Sequence, residues 1–374
     1  MKKALHLTTH LNSGGITIYI LRLVEALRKN GWDTALASSG GEYVPLFLEK
    51  KCVFHELNIK TKSELSPKLV FALPRLVKIL REEKYDLIHA HTRVAQVLAA
   101  CASVLSGVPV VTTCHGFYKR RLGRILFPAW GSRAIAISEP VGKSLAQGFG
   151  VPREKIRIVN NGVDVELLDE QYQKLNAAEA KKSFGLDPRD KVVGIVARLV
   201  NDKGHEYLIR AAQSLLGRIP DVRLLIVGDG RERMPLERLA VSLDLQKNVH
   251  FTGNLTDVPR ALAAMDIFAF PATWREGFGL SIVEAMACAK PVIVTNIWAL
   301  NSLIEDRKTG ILVEPKRVDV LAGAIEMLFH DNDLRKAIGE AARRIVIENF
   351  NIPRMAREIS DVYNEVLTER RKSL

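Results

Sequence analysis

Short apolar runs alternate with amphipathic helical patterns along almost the whole of this 374-residue chain. Continuous runs of this kind are typical of strands buried on both faces of a parallel sheet. The predicted strands are 3–9, 34–37, 86–90, 108–113 and 134–137 in the first half, and 191–197, 223–227, 249–252, 267–270, 291–295 and 311–313 in the second. The alternation occurs as two successive series, and the chain is longer than one hydrophobic core usually serves. It therefore predicts two doubly wound α/β domains.

We predict that residues 1–168 form an N-terminal domain and residues 169–352 a C-terminal domain. The predicted linker is the polar segment 165–175, which is rich in Asp, Glu and Gln. Residues 353–374 have a helical pattern, and we expect this terminal helix to pack back on the N-terminal domain. The uncharged stretch 94–118 is interrupted by Gly and Pro. It predicts a buried helix, a turn and a buried strand rather than a membrane span.

The positive charge of the chain is concentrated in its first half. Residues 1–165 contain 24 Lys and Arg against 12 Asp and Glu, whereas the rest of the chain contains 30 of each class. This asymmetry indicates an anionic partner of one domain: a nucleic acid, a phosphorylated ligand or a membrane surface. Nucleic acid is disfavoured because the sequence has no recognisable recognition helix or zinc module.

Two basic segments, 67–81 and 118–133, also carry apolar and aromatic residues. Such segments suit an interface with anionic lipid, so we expect the N-terminal half to dock on a membrane surface. An ordinary half-buried helix is the alternative for 67–81, and an anionic acceptor site is the alternative for 118–133. The four cysteines lie far apart and the N-terminus is too polar for a signal peptide. These features predict a cytoplasmic protein with reduced thiols.

Several loops that follow predicted strands carry residues suited to binding or chemistry, because ligands of open parallel sheets bind beyond the carboxyl ends of the strands. The first such loop is Ser13-Gly14-Gly15. Paired glycines would allow the backbone to approach a phosphate at a helix N-terminus. An ordinary tight turn explains the same residues equally well. Neither this loop nor Gly228-Asp229-Gly230 completes the G-x-G-x-x-G pattern of dinucleotide-binding proteins.

His115 directly follows a predicted strand and precedes a glycine. A histidine in this place can contact a substrate hydroxyl or an anionic group, although hydrogen bonding within the protein is the commoner role. His89 and His91 also lie at the end of a predicted strand, spaced so that their side chains point the same way.

Arg198 and Lys203 lie five positions apart in a polar loop, with Gly204 before the next helical pattern. Arginine offers a planar fork for phosphate oxygens and lysine a compact charge, so the pair suits a diphosphate. A solvated basic loop is the alternative.

Glu276 and, eight positions later, Glu284 lie in the segment E-G-F-G-L-S-I-V-E-A. If a helix begins near Gly279, Glu284 lies about two turns inside it and the amides of residues 278–280 are available to a phosphate. A carboxylate in an otherwise apolar helix is costly without a partner, which favours a binding role for Glu284. The segment Asp331-Asn332-Asp333 opens a helical pattern, and we interpret it as a cap. No metal site is predicted.

These segments together resemble the retaining glycosyltransferases of family 4, which have the GT-B fold, and in particular members that build cell-envelope polysaccharide or lipopolysaccharide. The resemblance covers nearly the whole chain and is carried by NNGVD at 160–164, ARLVNDKG at 197–204, FTGNL at 251–255 and LAAMDIFAFPATWREGFG followed by LSIVEAMACAKPVIVT at 262–295. Its most specific part is the pair of glutamates in an E-G-F-G context after the Arg/Lys loop.

The resemblance implies two Rossmann-like domains that face each other across a cleft, the N-terminal one for the acceptor and the C-terminal one for a nucleotide sugar. Arg198 and Lys203 would neutralise the donor diphosphate in place of a metal. Glu276 would contact the hydroxyls of the donor sugar and Glu284 those of the ribose. The donor site would be completed by Gly277, Phe278, Gly279 and Leu280.

The resemblance also implies roles in the rest of the chain. Gly14 and Gly15 would approach the diphosphate, Leu255 would lie near the base, and His115 would line the reaction centre. The catalytic set implied is His115 with Glu276, Arg198 and Lys203. The donor would be a UDP-, GDP- or ADP-sugar, with no cofactor. The anomeric configuration would be retained by front-face attack, with positive charge stabilising the leaving group.

Two departures from the family pattern concern glycines. Many members have two glycines where this chain has Trp298-Ala299, and a glycine where it has Ala289. Trp298 is placed either to line a sugar or acceptor pocket or to pack, so the departure affects the acceptor side of the predicted site.

We therefore expect a retaining, metal-independent glycosyltransferase that moves a hexose-type sugar to a lipid-linked, lipopolysaccharide or polysaccharide acceptor. We expect it in the cytoplasm, peripheral on the inner face of the cytoplasmic membrane. The alternative is a GT-B nucleotide-sugar epimerase or another non-transferase sugar enzyme, such as a phosphorylase. A carboxylate pair also suits a glycoside hydrolase, but the implied ribose role of Glu284 disfavours that interpretation.

Overall fold

Two parallel β-sheets flanked by helices form the centres of two compact units in the computed structural model. The structure describes residues 1–12 and 14–373. Unit 1 contains Met1–Gly162 together with the chain from Ile352 onward, and unit 2 contains Val163–Asn351. The α/β class with two doubly wound sheets, predicted from the alternation of apolar runs, is confirmed.

The sheet of unit 1 has the strand order β3-β2-β1-β4-β5-β6-β7, and neighbouring strands run parallel. Its strands are β1 (Lys2–Leu7), β2 (Trp32–Ser38), β3 (Val53–Glu56), β4 (Leu87–Ala90), β5 (Val110–Cys114), β6 (Arg133–Ala136) and β7 (Ile156–Ile158). Its helices are α1 (Gly15–Lys29), α2 (Val44–Glu49), α3 (Pro67–Glu82), α4 (Arg93–Ser106), α5 (Leu122–Leu126), α6 (Glu139–Phe149) and, at the end of the chain, α15 (Ile352–Ser373).

The sheet of unit 2 has the order β10-β9-β8-β11-β12-β13, again parallel. Its strands are β8 (Lys191–Val196), β9 (Val222–Val227), β10 (Val249–Gly253), β11 (Ile267–Phe270), β12 (Val292–Thr295) and β13 (Ile311–Val313). Its helices are α7 (Val165–Tyr172), α8 (Ala177–Ser183), α9 (His205–Leu215), α10 (Arg233–Ser242), α11 (Val258–Ala264), α12 (Leu280–Ala287), α13 (Val318–His330) and α14 (Asn332–Asn349).

Each sheet has one point at which the strand order reverses. In unit 1 the chain builds outward from β1 to β3 and then resumes with β4 on the other side of β1, and in unit 2 β8 and β11 have the same relation. Open parallel sheets bind ligands at such a point, beyond the carboxyl ends of the two strands. The ends of β1 and β4, and those of β8 and β11, are therefore the places to look for function.

The terminal helix α15 is part of unit 1 and begins at Ile352. The Trp32 indole N–H donates to Ser360 Oγ at 2.8 Å, and the Trp32 and Tyr363 rings meet edge to face with centroids 4.9 Å apart. Arg133 and Arg157 both bind the Glu365 carboxylate. Helices α1 and α15 together cover one face of the sheet, and α3 and α4 cover the other.

The prediction of a linker at residues 165–175 is wrong, because most of this segment is helical. Residues 165–172 form helix α7, with the Asp164 side chain accepting a hydrogen bond from Leu167 N at its start. Asp169 on this helix binds Arg343 at 2.7 Å. The change of unit occurs before the helix, between Gly162 and Val163, rather than at residue 168. A surface helix that buries only Leu168 is polar in composition, which is why its sequence resembles a linker.

Candidate functional site

The two loops that follow β8 and β11 lie against each other at the reversal point of unit 2. Gly204 has a φ of 76°, and a Cβ there would collide with the carbonyl oxygen of Pro271. The amide of Thr273 donates to the carbonyl of Asp202 at 2.9 Å. Glycine is required at residue 204 because only it allows this close approach of the two backbones. The predicted basic loop and the predicted glutamate loop are thereby brought together.

Lys203 and Glu276 form an ion pair between Nζ and Oε2. The side chains are 13% and 18% exposed, so the pair is largely but not fully removed from water. Glu276 Oε1 also accepts from the amide of Gly277 at 3.1 Å, and Lys203 Nζ lies 5.4 Å from the centre of the Phe270 ring. Each charge is therefore held in place by neighbouring groups. An anionic ligand that binds Lys203 would have the Glu276 carboxylate as a second anion on the same ammonium group.

Arg198 lies in the same loop but has a different environment. Its side chain is exposed. Among the described residues its guanidinium takes part in no hydrogen bond or ion pair, although its carbonyl accepts from Val200 N. The loop thus offers one guanidinium that is available at the surface and one ammonium that is held by Glu276. Both are cations that follow β8, where the sequence analysis placed them, and their role at a diphosphate stays a prediction.

The N-terminus of α12 lies directly after Glu276. The helix begins at Leu280, after Gly279 with a φ of 86°. Within the described chain, the amides of residues 278–280 donate no hydrogen bond. Unbonded amides at a helix start bind anions because they carry the positive end of the helix dipole. Glu284 is half-buried in the second turn of the same helix.

The sequence analysis assigned Phe278 to the donor site through its backbone amide, and the structure shows where its ring lies. Its side chain is 2% exposed and meets Phe350 edge to face, with ring centroids 5.7 Å apart. The ring therefore belongs to the core, and only the backbone of Phe278 is available to a ligand. Burial of the ring anchors the start of α12.

Leu255 is half-buried in the loop between β10 and α11. Because β10 is the edge strand and β9 separates it from β8, this residue is not at the reversal point. Its expected place near the base stays a prediction.

The departures from the family pattern include two alanines on left-handed backbone. Ala289 has a φ of 53° and Ala299 a φ of 83°. A residue with a Cβ is strained there and glycine is not, which accounts for the family's glycines at these two positions but not for the one that Trp298 replaces. Trp298 is 37% exposed, and the Arg275 guanidinium lies 6.0 Å from the centre of its ring and 5.7 Å from that of Trp274. The guanidinium of the residue before Glu276 therefore lies near two indoles.

The glycine loop of unit 1 is open. Gly15 begins α1, and a Cβ at Gly14 or Gly15 would meet no atom within 4 Å among the described residues beyond its chain neighbours and its own helix. Ser13 of the same motif lies outside the described residues. The backbone is accessible here at the end of β1, which is compatible with either interpretation of this loop, a phosphate site or a simple turn.

A histidine cluster, defined as His6, His89, His91 and His115, occupies the reversal point of unit 1. His6 Nδ1 lies 3.0 Å from His91 Nε2, and His91 Nδ1 lies 3.3 Å from His115 Nε2. His89 instead bonds Tyr363 and Thr113, at 2.5 and 2.6 Å. Burial lowers the pKa of His6 and of His115 to about 3, and holds those of His89 and His91 well below their ordinary value. All four rings are therefore neutral near pH 7.

The sequence analysis placed His115 after a strand and grouped His89 with His91, but it did not include His6. Strand β5 extends to Cys114, and His115 is half-buried immediately beyond it. His6 is paired in register with His89 on the neighbouring strand. The signal for His6 was a histidine within an otherwise apolar run, which becomes informative only once β1 and β4 are known to be neighbours.

Three members of the cluster, His6, His89 and His91, have ring nitrogens within 4.8 Å of one another, close enough to be considered for a metal ion. Most of these nitrogens are however already engaged, since both nitrogens of His89 are hydrogen-bonded and His6 Nδ1 bonds His91. Only His6 Nε2 of the three rings has no hydrogen-bond partner among the described residues. The geometry is that of a hydrogen-bond network. The Asp331 side chain accepts from Leu334 N at 2.8 Å and caps α14, which confirms the interpretation of that segment as a cap.

Unit 1 also carries an exposed basic and apolar surface, formed by α3, α5 and the loop before α3. The most exposed apolar side chains of this surface are Leu65, Val70, Phe71, Leu122 and Leu126, each at least 70% exposed. The two parts are tied together because Glu64 binds Arg93, which also donates to the carbonyl of Phe127. Unit 1 contains 29 Lys and Arg against 15 Asp and Glu, and unit 2 contains 25 against 27. In the described part of the chain no helix is long and apolar enough to cross a membrane.

Two family models match the chain. The model "Glycosyltransferase Family 4" matches residues 13–167, and the model "Glycosyl transferases group 1" matches residues 176–345. Among curated proteins, the UDP-Gal:alpha-D-GlcNAc-diphosphoundecaprenol alpha-1,3-galactosyltransferase of Escherichia coli is 30% identical over 315 residues, which is 80% of this chain and 80% of that protein.

Solved structures agree over nearly the full length. A glycosyltransferase from Rickettsia africae ESF-5 superimposes with a TM-score of 0.88, 25% identity and 98% coverage of both chains. The structure of Anabaena Alr3699/HepE in complex with UDP-glucose superimposes with a TM-score of 0.84 and 25% identity, over 98% of this chain and 100% of the other.

Proposed function

Since the chain belongs to the glycosyltransferases of family 4 and has their two-domain α/β GT-B fold, we propose that it transfers a hexose from a nucleotide sugar with retention of anomeric configuration. The observation that carries the proposal is the arrangement of Lys203, Glu276 and the unbonded amides that begin α12. A cation, a hydrogen-bond acceptor and anion-binding amides are what a sugar diphosphate needs at one place.

In this proposal the diphosphate binds Arg198, Lys203 and the amides of residues 278–280. As the glycosidic bond breaks, negative charge develops on the leaving phosphate, and fixed positive groups stabilise that charge without reorganising. Glu276 accepts hydrogen bonds from sugar hydroxyls, and Glu284 from the ribose. Front-face attack by the acceptor hydroxyl then needs no enzyme nucleophile, since the departing phosphate oxygen takes the hydroxyl proton as the new glycosidic bond forms. The two cations take the place that a divalent metal has in other transferases.

The donor proposed is a UDP-hexose. Alr3699/HepE has been solved with UDP-glucose, and the Escherichia coli relative is named for UDP-Gal. Both support a uridine nucleotide and a hexose for this chain. Unit 2 is proposed as the donor-binding unit and unit 1 as the acceptor-binding unit, with His115 at the reaction centre.

The acceptor proposed is a lipid-linked sugar at the inner face of the cytoplasmic membrane. The Escherichia coli relative is named for a sugar diphosphate on undecaprenol. The excess positive charge of unit 1, with apolar side chains of α3 and α5 exposed beside it, supports docking on anionic lipid.

A thermal-shift and product assay tests the donor and the stereochemistry. UDP and UDP-glucose or UDP-galactose should raise the Tm, because a ligand that binds only the folded state stabilises it by mass action. With a GlcNAc-diphosphate-lipid acceptor, NMR of the product should show the donor's anomeric configuration, and EDTA should leave the rate unchanged. The absence of any shift with UDP-, GDP- and ADP-sugars would overturn the donor assignment. Interconversion of the nucleotide sugars without acceptor would indicate an epimerase instead.

Vesicle co-sedimentation tests the docking surface. We expect the protein to bind vesicles with phosphatidylglycerol more strongly than neutral vesicles, and added salt should reduce the binding. Leu126→Glu places a carboxylate on α5, where the side chain is 73% exposed, and should abolish the preference. Val241→Glu, at a 59% exposed position on α10 of unit 2, is the matched control and should bind as wild type does. Equal binding to both vesicle types would refute the electrostatic docking.

A further inference from the structure

A chain of ring nitrogens leads from the buried sheet of unit 1 to His115. It runs from His6 Nδ1 to His91 Nε2 over 3.0 Å, and from His91 Nδ1 to His115 Nε2 over 3.3 Å. His6 and His91 are at most 1% exposed, whereas His115 is partly exposed. The three rings come from β1, from the residue after β4 and from the residue after β5, so the backbone of three adjacent strands fixes their order.

The number of protons in this chain restricts its possible states. A neutral imidazole carries one N–H and one lone pair, so it can donate at only one ring nitrogen. His91 bonds at both nitrogens, and it must donate at one and accept at the other unless it is charged. Burial and the neighbouring histidines lower its pKa well below the ordinary value, which excludes the imidazolium. The two hydrogen bonds therefore point the same way along the chain, either toward His115 or toward His6.

The second nitrogen of His6 distinguishes the two directions. His6 Nε2 is buried and has no hydrogen-bond partner among the residues that the structure describes. If the bonds point inward, that nitrogen carries a proton with no acceptor. If they point outward, it carries only a lone pair. A buried N–H without an acceptor is the rarer and costlier of the two in proteins, so the outward direction is favoured.

We propose that His91, backed by His6, is a positioning residue that holds His115 in the tautomer with the proton on Nδ1. His115 Nε2 is then occupied as an acceptor, and Nδ1–H is the group that His115 offers to a bound ligand. It donates to an oxygen, either a sugar hydroxyl oxygen or a phosphate oxygen. His115 in this state cannot take a proton at Nδ1, so it acts as a hydrogen-bond donor rather than as a base. The contact between His115 and a ligand rests on the function proposed above, whereas the assignment of the His115 tautomer does not.

The rest of the histidine cluster supplies a matched control. His89 bonds the Tyr363 hydroxyl and Thr113 and takes no part in the chain. The ring of Tyr19 lies edge-on to His115, with centroids 4.7 Å apart, and adds no nitrogen partner. Tyr363→Phe therefore removes a hydroxyl from the same buried cluster without touching the bonds that set the His115 tautomer.

Two-bond 15N–1H correlation spectra of the full chain, labelled with 15N at histidine, test the proposal directly because they distinguish a protonated ring nitrogen from one with a lone pair. At pH 7.5 we expect His6, His91 and His115 as neutral rings protonated at Nδ1. In His91→Phe the constraint on His115 is lost, and its Nε2–H form should become a major species. In His91→Gln, whose amide both donates and accepts, the wild-type form should be partly recovered. Tyr363→Phe should leave His115 unchanged.

Kinetics with UDP-glucose or UDP-galactose and a GlcNAc-diphosphate-lipid acceptor supply the second readout. His91→Phe should lower kcat about 10- to 100-fold, as expected for loss of one oriented hydrogen bond, while the Kd for UDP stays within about twofold and His91→Gln recovers part of the rate. An Nε2–H His115 in the wild type, or a tautomer indifferent to His91→Phe, would overturn the proposal. A wild type that binds no nucleotide sugar would instead refute the proposed function and leave the tautomer result standing.

Discussion

Replacing Glu276 with Gln should tighten the binding of UDP while it slows glycosyl transfer. In the free protein the carboxylate holds Lys203 and lies where the diphosphate is proposed to bind. Glu276→Gln removes one negative charge beside that phosphate and leaves the lysine in place. Replacing a residue that binds the donor sugar is usually expected to lower the affinity for every ligand of the site. A higher affinity for UDP is therefore a specific consequence of this ion pair.

The magnitude follows from the geometry. A phosphate that contacts Lys203 Nζ lies about 6 Å from a carboxylate on the other side of the same ammonium. With an effective dielectric of about 40, between that of water and the value of about 20 used near protein surfaces, two unit charges at about 6 Å repel by about 1.4 kcal/mol. This value is appropriate because the side chains keep 13% and 18% exposure. Relief of about 1.4 kcal/mol lowers the Kd of UDP about tenfold.

UDP-glucose should respond differently from UDP. Its sugar hydroxyls lose a charged acceptor, which costs about 1.5–3 kcal/mol and offsets the gain at the phosphate. The affinity for UDP-glucose should therefore stay unchanged or fall, and the ratio of the two Kd values should shift at least tenfold. Transfer should slow because the sugar is no longer held by a charged group.

Isothermal titration with UDP and UDP-glucose, at low salt and again in about 0.5 M NaCl, measures these quantities. The gain for UDP should shrink in high salt because ions screen a partly exposed pair. Glu284→Gln is the contrasting variant, since loss of a hydrogen-bond acceptor for the ribose should weaken the binding of both UDP and UDP-glucose. If Glu276→Gln weakens UDP as Lys203→Ala does, then the carboxylate serves mainly to orient the lysine, and the repulsion argument is refuted.

Three further predictions concern stability and the second cation. Because burial lowers the pKa of His6 to about 3, the unfolded chain binds the extra proton between pH 6.5 and 3. In urea unfolding, the contribution of His6 to the free energy of unfolding should be complete above pH 6.5. Below that pH it should fall by about 1.4 kcal/mol per pH unit. A free energy of unfolding that does not change from pH 7 to 5 would contradict this. Ala289→Gly, at a φ of 53°, should stabilise by about 0.5–1 kcal/mol in the same assay, and a lower urea midpoint would show that the strain is absent. Arg198→Ala should weaken UDP about tenfold by titration with no change in Tm, since the side chain is exposed; a destabilised variant would reveal a structural role.

The sequence predicted the sheet interiors well because their strands are buried on both faces. β3 and β7 were not among the predicted strands because both are edge strands with half-exposed residues, such as Val53 at 51% and Ile158 at 38% exposure. Their sequences lack the continuous apolar run that identifies an inner strand. Helix α7 was missed for a related reason, since a surface helix with one buried side chain has the composition of a linker.

The chemistry at each strand end could also be predicted one loop at a time, but the partners could not. Lys203 and Glu276 are 73 positions apart, and they meet because β8 and β11 are neighbours across the reversal of strand order. His6 and His91 meet across the equivalent reversal in unit 1. Such a pairing depends on which strands are adjacent in the sheet, and the local pattern of residues in each strand does not specify that adjacency.

Phe278 shows why the side chain of a residue inside a binding motif need not contact the ligand. Its ring is buried against Phe350, and Gly279 next to it adopts a φ of 86° in which a Cβ would press on Ile282 and Leu300. The aromatic ring thus fixes the chain just before α12, and the glycine lets the chain turn into the helix. Together they set the direction of the three amides that remain unbonded at its start. The segment from Glu276 to Leu280 thus consists of one carboxylate followed by an anchored turn that sets the direction of a helix N-terminus.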